Sequence, residues 1–370
     1  MNDIRLLVDG KKAFPELVDL IREAKESIII NMFIWRDDDI GNILASELLC
    51  AAERGVKIGI TKDRYGISCE CSEEGRRSFF HTDPTLYEQL MISGLTLLYN
   101  RDLFGHIPKK RENEHRILME QHPNIRIHAD ENRYDHSKFY IFDKKILVFG
   151  GINIEDKENG HDRQGRYYHD YMVRLDGEDI VDSFLCKRKN PVINKDGIFA
   201  FNIKEPKRVF EIEQRYLDLI NGAEKELSIL MAYFSPEPAF IKAIADAAKR
   251  GVKVRIVIPH SANFTDDTNK MTLKILHKEC SDICFYLSPK MLHAKLLMSE
   301  KMISVGSSNI NKKAFRQLDE LNLFVPNDDS AFAKDARTSV EDTINESEYV
   351  SDMSMLKNNS IFAMAERIIM

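Results

Sequence analysis

His136-Ser137-Lys138-Phe139-Tyr140-Ile141-Phe142-Asp143 returns later in the chain as His293-Ala294-Lys295-Leu296-Leu297-Met298-Ser299-Glu300. Each copy runs through an apolar stretch into a small-residue turn and an asparagine, Gly150-Gly151-Ile152-Asn153 and Gly306-Ser307-Ser308-Asn309. Read as a strand over 136–142, the first copy sets His136, Lys138 and Tyr140 on one face, because strand side chains alternate. The polar turn Asp143-Lys144-Lys145 sends the chain back along 146–149. Folding this hairpin about Lys144 and Lys145 places Asn153 opposite His136. The second copy, folded about Lys301, places Asn309 opposite His293. Each hairpin then delivers one His, one Lys and one Asn to the same end, and its glycines permit close backbone approach to a ligand. Asp143 and Glu300 fall at the other end, roughly 20 Å from the histidines at strand rise. That distance predicts structural roles for both acids.

The repeat extends well beyond the hairpins. Leu17-Val18-Asp19-Leu20-Ile21-Arg22-Glu23-Ala24 matches Tyr216-Leu217-Asp218-Leu219-Ile220-Asn221-Gly222-Ala223, each an amphipathic helix running into an apolar strand. Ala51-Ala52-Glu53-Arg54-Gly55-Val56-Lys57-Ile58 matches Ala247-Ala248-Lys249-Arg250-Gly251-Val252-Lys253-Val254, each a helix closed by glycine before a buried strand. Helix, strand, helix, strand and hairpin, taken twice, predict an α/β fold of two similar lobes. Each lobe is expected to be a mixed sheet flanked by helices, with the active site where the lobes meet. The first lobe spans 1–190, a crossover linker 191–208, and the second lobe 209–370 with a helical tail. Gly55 to His136 is 81 residues and Gly251 to His293 is 42, so the first lobe carries a 39-residue excess within about 67–129. That insertion holds Arg101, His106, Lys109, Lys110, Arg111, His115 and Arg116, and reads as a solvated charged helix or a substrate-selecting cap.

Composition bounds the partners. The chain has 370 residues, 43% hydrophobic and 30% charged, enough for two cored domains. Its longest apolar run, Ile28 to Trp35, is interrupted by Asn31 and is far shorter than a bilayer span. The opening Met1-Asn2-Asp3-Ile4-Arg5 does not read as a secretory signal. These features predict a cytoplasmic protein that meets membranes only at their surface. A net charge of −6 gives no global argument for nucleic acid. The six cysteines lack zinc-ribbon spacing and read as scattered thiols. The sequence assigns no oligomeric state.

Two histidines, two lysines and two asparagines in matched settings suit the holding of a phosphate and its passage through an imidazole. A nucleophilic imidazole needs one nitrogen free and the other pinned by an acceptor. Asp170, before Tyr171-Met172-Val173, stands in the first half where Glu320, before Leu321-Asn322-Leu323, stands in the second. Each is expected to orient the histidine of its own half. His161, Asp162 and His169 read as a polar loop rather than a metal site. Tyr233 reads as core or pocket lining, and the Met353–Met370 tail as an amphipathic helix docked on its own domain.

With these residues the chain resembles the phospholipase D superfamily, which carries H-x-K-x4-D/E twice. Within it, Arg-Gly-Val-Lys and Gly150-Gly151-Ile152-Asn153 are similar to bacterial cardiolipin synthases. Glu300 departs from the usual motif aspartate. The resemblance implies phosphodiester transfer through a phosphohistidine, with a glycerophospholipid substrate drawn from a membrane surface. It implies His136 as nucleophile and His293 as acid and base, although the near-symmetric copies fit the reverse assignment too. Lys138, Lys295, Asn153 and Asn309 would hold the nonbridging oxygens, with hydroxyls from Ser307 and Ser308. No cofactor or metal is implied, because two lysines supply the positive charge. The alternatives are a nuclease or other phosphodiesterase acting on nucleic acid, and an inactive lipid-binding scaffold.

Overall fold

The computed structural model describes residues 4–73, 77–80, 83–100, 112–160, 167–194, 196–204 and 208–369. They form two compact units. The first holds Leu7–Tyr168 and Met172–Leu185; the second holds Cys186–Met370 with Ile4–Leu6 and His169–Tyr171.

The two sheets share one topology. In the first, six strands run in the order Tyr171–Asp176, Ile146–Gly150, Lys138–Phe142, Ser27–Met32, Lys57–Lys62, Ile125–His128, with Ile4–Val8 on the outer edge. In the second the same order is Glu320–Pro326, Met302–Gly306, Lys295–Ser299, Glu226–Met231, Lys253–Pro259, Cys284–Ser288. Phe199–Ile203 occupies the place of Ile4–Val8. Strand pairing matches too: Ser27–Met32 is parallel to Lys57–Lys62 and antiparallel to Lys138–Phe142, as Glu226–Met231 is to Lys253–Pro259 and Lys295–Ser299. The fold is therefore an internally duplicated α/β structure. Each half packs amphipathic helices on its sheet: Phe14, Leu17, Leu20 and Ile21 of helix Asp9–Glu23 join one core, and Ile212, Tyr216, Leu219 and Ile220 of helix Ile212–Gly222 join the other.

The glycine stops behave alike in both halves. Gly55 and Gly251 have φ of 99° and 91°, a left-handed backbone that glycine adopts without a Cβ penalty. Their N–H groups donate to Ala52 and Ala248 (3.0 and 2.9 Å), and the following valines donate to Ala51 and Ala247 (both 3.2 Å). These bonds satisfy carbonyls that the helix end would leave open.

Two stretches differ from their sequence reading. Residues 191–208, expected as a linker, contain the fully buried strand Phe199–Ile203, which pairs with Glu320–Pro326. Five consecutive inward residues reflect a strand covered on both faces, which a period-two reading misses. In the insertion, Arg101, His106, Lys109, Lys110 and Arg111 lie outside the described residues, as do His161 and Asp162. Helix Glu114–Gln121, which carries His115 and Arg116, buries only Met119 and is solvated as expected, but the rest of the described part is more than a solvated helix. Helices Arg64–Ser72, Leu86–Asn100 and Glu114–Gln121 stand where the second half has the single helix Asp266–Glu279. Phe79, Phe80, Ile92 and Met119 enter the core around Trp35. Arg36 is enclosed there, bonded to Glu73 (2.8 Å) and Glu155 (3.1 Å).

Among the described residues no helix is long and apolar enough to cross a membrane. The tail helix Ser360–Ile369 buries Ala363 and Glu366, and the Glu366 carboxylate accepts the Thr268 N–H (2.9 Å).

Candidate active site

His136 and His293 sit one residue-pair before their strands, not inside them: the ladders begin at Lys138 and Lys295. In the first half the Asn31 side-chain amide donates to the Ser137 carbonyl (2.8 Å), so a side chain replaces the next ladder bond. Both histidines and both lysines are buried. Lys138 Nζ donates to the His136 carbonyl (2.6 Å), and Lys295 Nζ makes the same bond to the His293 carbonyl. Each ammonium thus lies beside its own histidine, buried away from bulk solvent. Burial of a cation in this way is costly unless an anion or a set of acceptors compensates.

The hairpin register is one residue off the expected one. Phe142 faces Ile146 across the ladder while its carbonyl takes the Lys145 N–H (2.9 Å), so Lys145 is an extra residue. Lys138 consequently pairs with Gly150, and extending that register sets Ile152, not Asn153, against His136. In the second hairpin Leu296 pairs with Val305, which likewise sets Ser308, not Asn309, against His293. Both asparagines are nevertheless buried. Among the described residues Asn153 Oδ1 has no hydrogen-bond partner, and Asn309 Oδ1 accepts the Tyr233 N–H (3.3 Å). Gly306 answers a neighbouring strand rather than a ligand. A Cβ there would lie 2.2 Å from the Leu321 carbonyl oxygen.

The orienting acids also need correction. Asp170 does not serve the histidine of its own half in the described bonds. Its Oδ2 lies 2.8 Å from His293 Nδ1 and 3.3 Å from Lys295 Nζ, while Oδ1 accepts the Tyr171 N–H (2.8 Å). The segment His169–Tyr171 belongs to the second unit, and the His169 carbonyl takes the His293 N–H (2.8 Å). Sequence proximity to the first hairpin was a poor guide, because a chain can leave one sheet within two residues. Burial alone would push the Asp170 carboxyl up. The Lys295 ammonium, the bond from His293 and the Tyr171 N–H outweigh it and hold the group below its ordinary value. Glu320, expected at His293, accepts the Ser307 hydroxyl, and Ser307 Oγ in turn takes the Leu321 N–H (3.0 Å). Ser308 donates its N–H to Asn322 (3.2 Å) and its hydroxyl to the Asn309 carbonyl (3.3 Å).

Asp143 and Glu300 bind backbone at the far end of each hairpin. Asp143 accepts the N–H groups of Lys25, Glu26 and Ser27 (2.9, 2.8 and 2.8 Å). Glu300 accepts those of Glu224, Lys225 and Glu226 (2.9, 3.2 and 3.2 Å). Either carboxylate clamps the helix-to-strand junction to the hairpin tip, and the longer glutamate makes the same three bonds. Burial raises both carboxyls, and these N–H bonds bring them below their ordinary values. Replacing Asp143 or Glu300 by alanine is expected to cost about 2 kcal/mol in urea unfolding, with turnover per folded molecule retained. Complete loss of turnover in a normally folded Glu300→Ala protein would place the acid in the chemistry instead.

Of the next features, Tyr233 was read from the sequence as core or pocket lining, whereas Phe33 and Asp63 were not singled out. Each half sets an aromatic edge-on against its histidine: Phe33 on His136 (4.8 Å, 77°) and Tyr233 on His293 (5.9 Å, 75°). Met32 and Met231 are equivalent by strand register, so these rings come from positions one residue out of step and repeat alignment does not pair them. The second feature is Asp63 at the end of Lys57–Lys62, which accepts N–H groups from Tyr65 (2.8 Å), Arg133 (3.3 Å) and Asp135 (2.5 Å). Burial pushes its carboxyl up to about 6.

Comparison with known proteins places the chain. A family model described as "Cardiolipin synthase, PLD-like domain" matches residues 17–187 and 216–343. Cardiolipin synthase B of Escherichia coli K12 is 27% identical over 348 residues, covering 88% of this chain and 76% of that protein. A cardiolipin synthase of Staphylococcus aureus Mu50 is 26% identical over 349 residues, covering 88% of this chain and 64% of that protein. The solved phosphatidylserine synthase of Haemophilus influenzae Rd KW20 shares the fold, with a TM-score of 0.71 at 13% identity over 99% of this chain and 91% of that one. The family match spans both copies of the duplicated sheet and most of the chain, so the protein belongs to the phospholipase D-like family of the cardiolipin synthase type.

Proposed function

We propose that the protein transfers phosphatidyl groups between glycerophospholipids through a phosphohistidine, joining two phosphatidylglycerols into cardiolipin with release of glycerol. The observation that carries the reading is the pinned imidazole of His293. Nδ1 lies 2.8 Å from the Asp170 carboxylate, which holds the ring in one orientation, as an imidazole that moves a proton at Nε2 requires. The Asp170 charge also favours the imidazolium that an acid needs. Family membership and the names of the relatives support the lipid substrate.

In this reading the His136 imidazole forms an N–P bond as the P–O bond to glycerol breaks, and the departing oxygen takes the proton from His293 Nε2. The hydroxyl of a second lipid then returns a proton to His293, and its oxygen forms a new P–O bond as N–P breaks. Lys138, Lys295, Asn153 and Asn309 bind the nonbridging oxygens, whose charge grows in the transition state.

The test is turnover of phosphorus-labelled phosphatidylglycerol vesicles beside labelled single-stranded DNA. Lipid turnover with release of glycerol is expected. Cleavage of DNA alone would make the protein a nuclease. Vesicle binding without turnover of either substrate would make it an inert lipid-binding scaffold.

A further inference from the structure

Asp170 reaches His293 on a short strap, His169–Tyr171, which belongs to the second unit. His169, read from the sequence as part of a polar loop, is buried there, as are Asp170 and Tyr171. Side chains alternate along extended backbone, and the contacts of the strap follow that alternation. Asp170 faces His293 and Lys295. The rings of His169 and Tyr171 meet each other edge-on at 4.9 Å, and both meet helix Ala331–Glu346 of the same unit. His169 Nε2 lies 2.8 Å from the Tyr171 hydroxyl and 3.0 Å from the Thr343 hydroxyl, and the Tyr171 hydroxyl lies 3.0 Å from that of Ser339. Ser339 and Thr343 are four residues apart and so share one face of the helix. Two strap residues at spacing two therefore dock on two helix residues at spacing four.

The second copy of the repeat places different residues here. Met172 pairs with Gly150 as Asn322 pairs with Gly306, so Asp319 and Leu321 stand where His169 and Tyr171 do. Leu321 has no hydroxyl to offer, and the Asp319 carboxylate accepts the Lys204 N–H (2.6 Å). The sheet alone thus does not demand polar rings at these two positions. Nor does stability: replacing both partners of a buried hydrogen bond by apolar groups of the same shape can be nearly neutral. What the bonds add is direction. Because neighbouring side chains alternate, fixing His169 and Tyr171 on the helix also fixes where Asp170 points.

We propose that His169 is the positioning residue of the His293 acid: its ring, tied to Tyr171 and Thr343, pins the strap to helix Ala331–Glu346 and thereby aims the Asp170 carboxylate at His293 Nδ1. The proposal deepens the phosphohistidine reading above and rests on it for the role of the acid. His169 touches neither substrate nor phosphorus in this scheme. It acts through Asp170, and its backbone carbonyl, which takes the His293 N–H (2.8 Å), holds the strap and the histidine in register.

The test compares the wild type with His169→Leu, with His169→Gln, and with the fourfold variant His169→Leu/Tyr171→Phe/Ser339→Ala/Thr343→Val. The fourfold variant removes the polar groups of the cluster together, so it is expected to unfold in urea close to the wild type. Two rates are measured. Turnover of phosphatidylglycerol vesicles needs the acid, whereas the nitrophenolate burst from the nitrophenyl ester of phosphatidic acid does not. Their ratio is expected to fall about 10²-fold in His169→Leu and in the fourfold variant, the scale of a small misplacement. In His169→Gln, whose amide nitrogen reaches the place of Nε2, the ratio should stay near the wild type. The proton between His293 and Asp170 is followed as a low-field resonance, identified by its absence from Asp170→Asn. It should vanish with the ratio and return with glutamine. Ratio and resonance both unchanged in the fourfold variant overturn the proposal and leave the reaction standing. A fallen ratio with the resonance kept overturns it as well, and so does a wild type without the resonance. A His169→Gln protein as impaired as His169→Leu assigns the effect to ring shape and overturns it too. Loss of the resonance with the ratio unchanged upholds the aiming and removes His293 from the acid's role. A wild type that turns over no lipid defeats the reaction, and the resonance still decides the positioning.

Discussion

A His293→Asn protein given the nitrophenyl ester of phosphatidic acid releases one equivalent of nitrophenolate in a burst and then stalls with phosphorus on His136. Nitrophenol is acidic enough to depart without a proton donor, so loss of the acid spares the first step. The second step still needs a base to deprotonate the incoming hydroxyl, so the intermediate accumulates. On phosphatidylglycerol, whose leaving alkoxide needs a proton, the same variant is expected to fall by about 10²–10⁴-fold in turnover. The trapped bond should be acid-labile and base-stable, as a phosphoramidate is. Phosphorus on serine or aspartate would remove the scheme. Phosphorus on His293 in the reciprocal His136→Asn protein, with none on His136 in His293→Asn, would reverse the two roles.

Asp170→Asn is expected to be the most damaging conservative change in the second unit. The side chain is buried, and it faces both His293 and Lys295. Removing its charge leaves the buried Lys295 ammonium without its anion, a loss of about 3–5 kcal/mol by analogy with broken buried pairs. Turnover should fall by about 10²–10⁴-fold as well, because the imidazole loses the anion that favours its protonated form. The pH dependence has a defined sign. The folded carboxyl lies below its ordinary value of 3.8. Its stabilisation is therefore complete above the unfolded value and disappears as pH falls through the lower folded one. The stability gap between wild type and Asp170→Asn, measured by urea unfolding, should be constant near neutrality and shrink below about pH 4. A gap that does not change with pH would mean that shape, not charge, is what asparagine fails to supply.

The duplication was legible because it rests on local signals that repeat. Helix periodicity, glycine stops at Gly55 and Gly251, and apolar strands recur in one order, and the two sheets repeat that order strand for strand. The hairpin register was not legible to the residue. One bulged lysine at Lys145 shifts every pairing after it, and nothing in Asp143-Lys144-Lys145 announces which residue is extra. The strand Phe199–Ile203 was hidden for a different reason. It reads as a spacer because its pairing partner, Glu320–Pro326, lies more than a hundred residues away.

By itself the sequence determined that this protein is a doubled α/β unit carrying two His–Lys pairs, because those facts live in periodicity and spacing, which the backbone converts directly into faces and turns. Only the tertiary structure decided which carboxylate meets which imidazole. Asp170 follows the first hairpin along the chain yet bonds His293, and Glu320 bonds Ser307. A hydrogen bond is set by a few ångströms of distance between side chains brought together by packing, and no pattern along the chain encodes that distance.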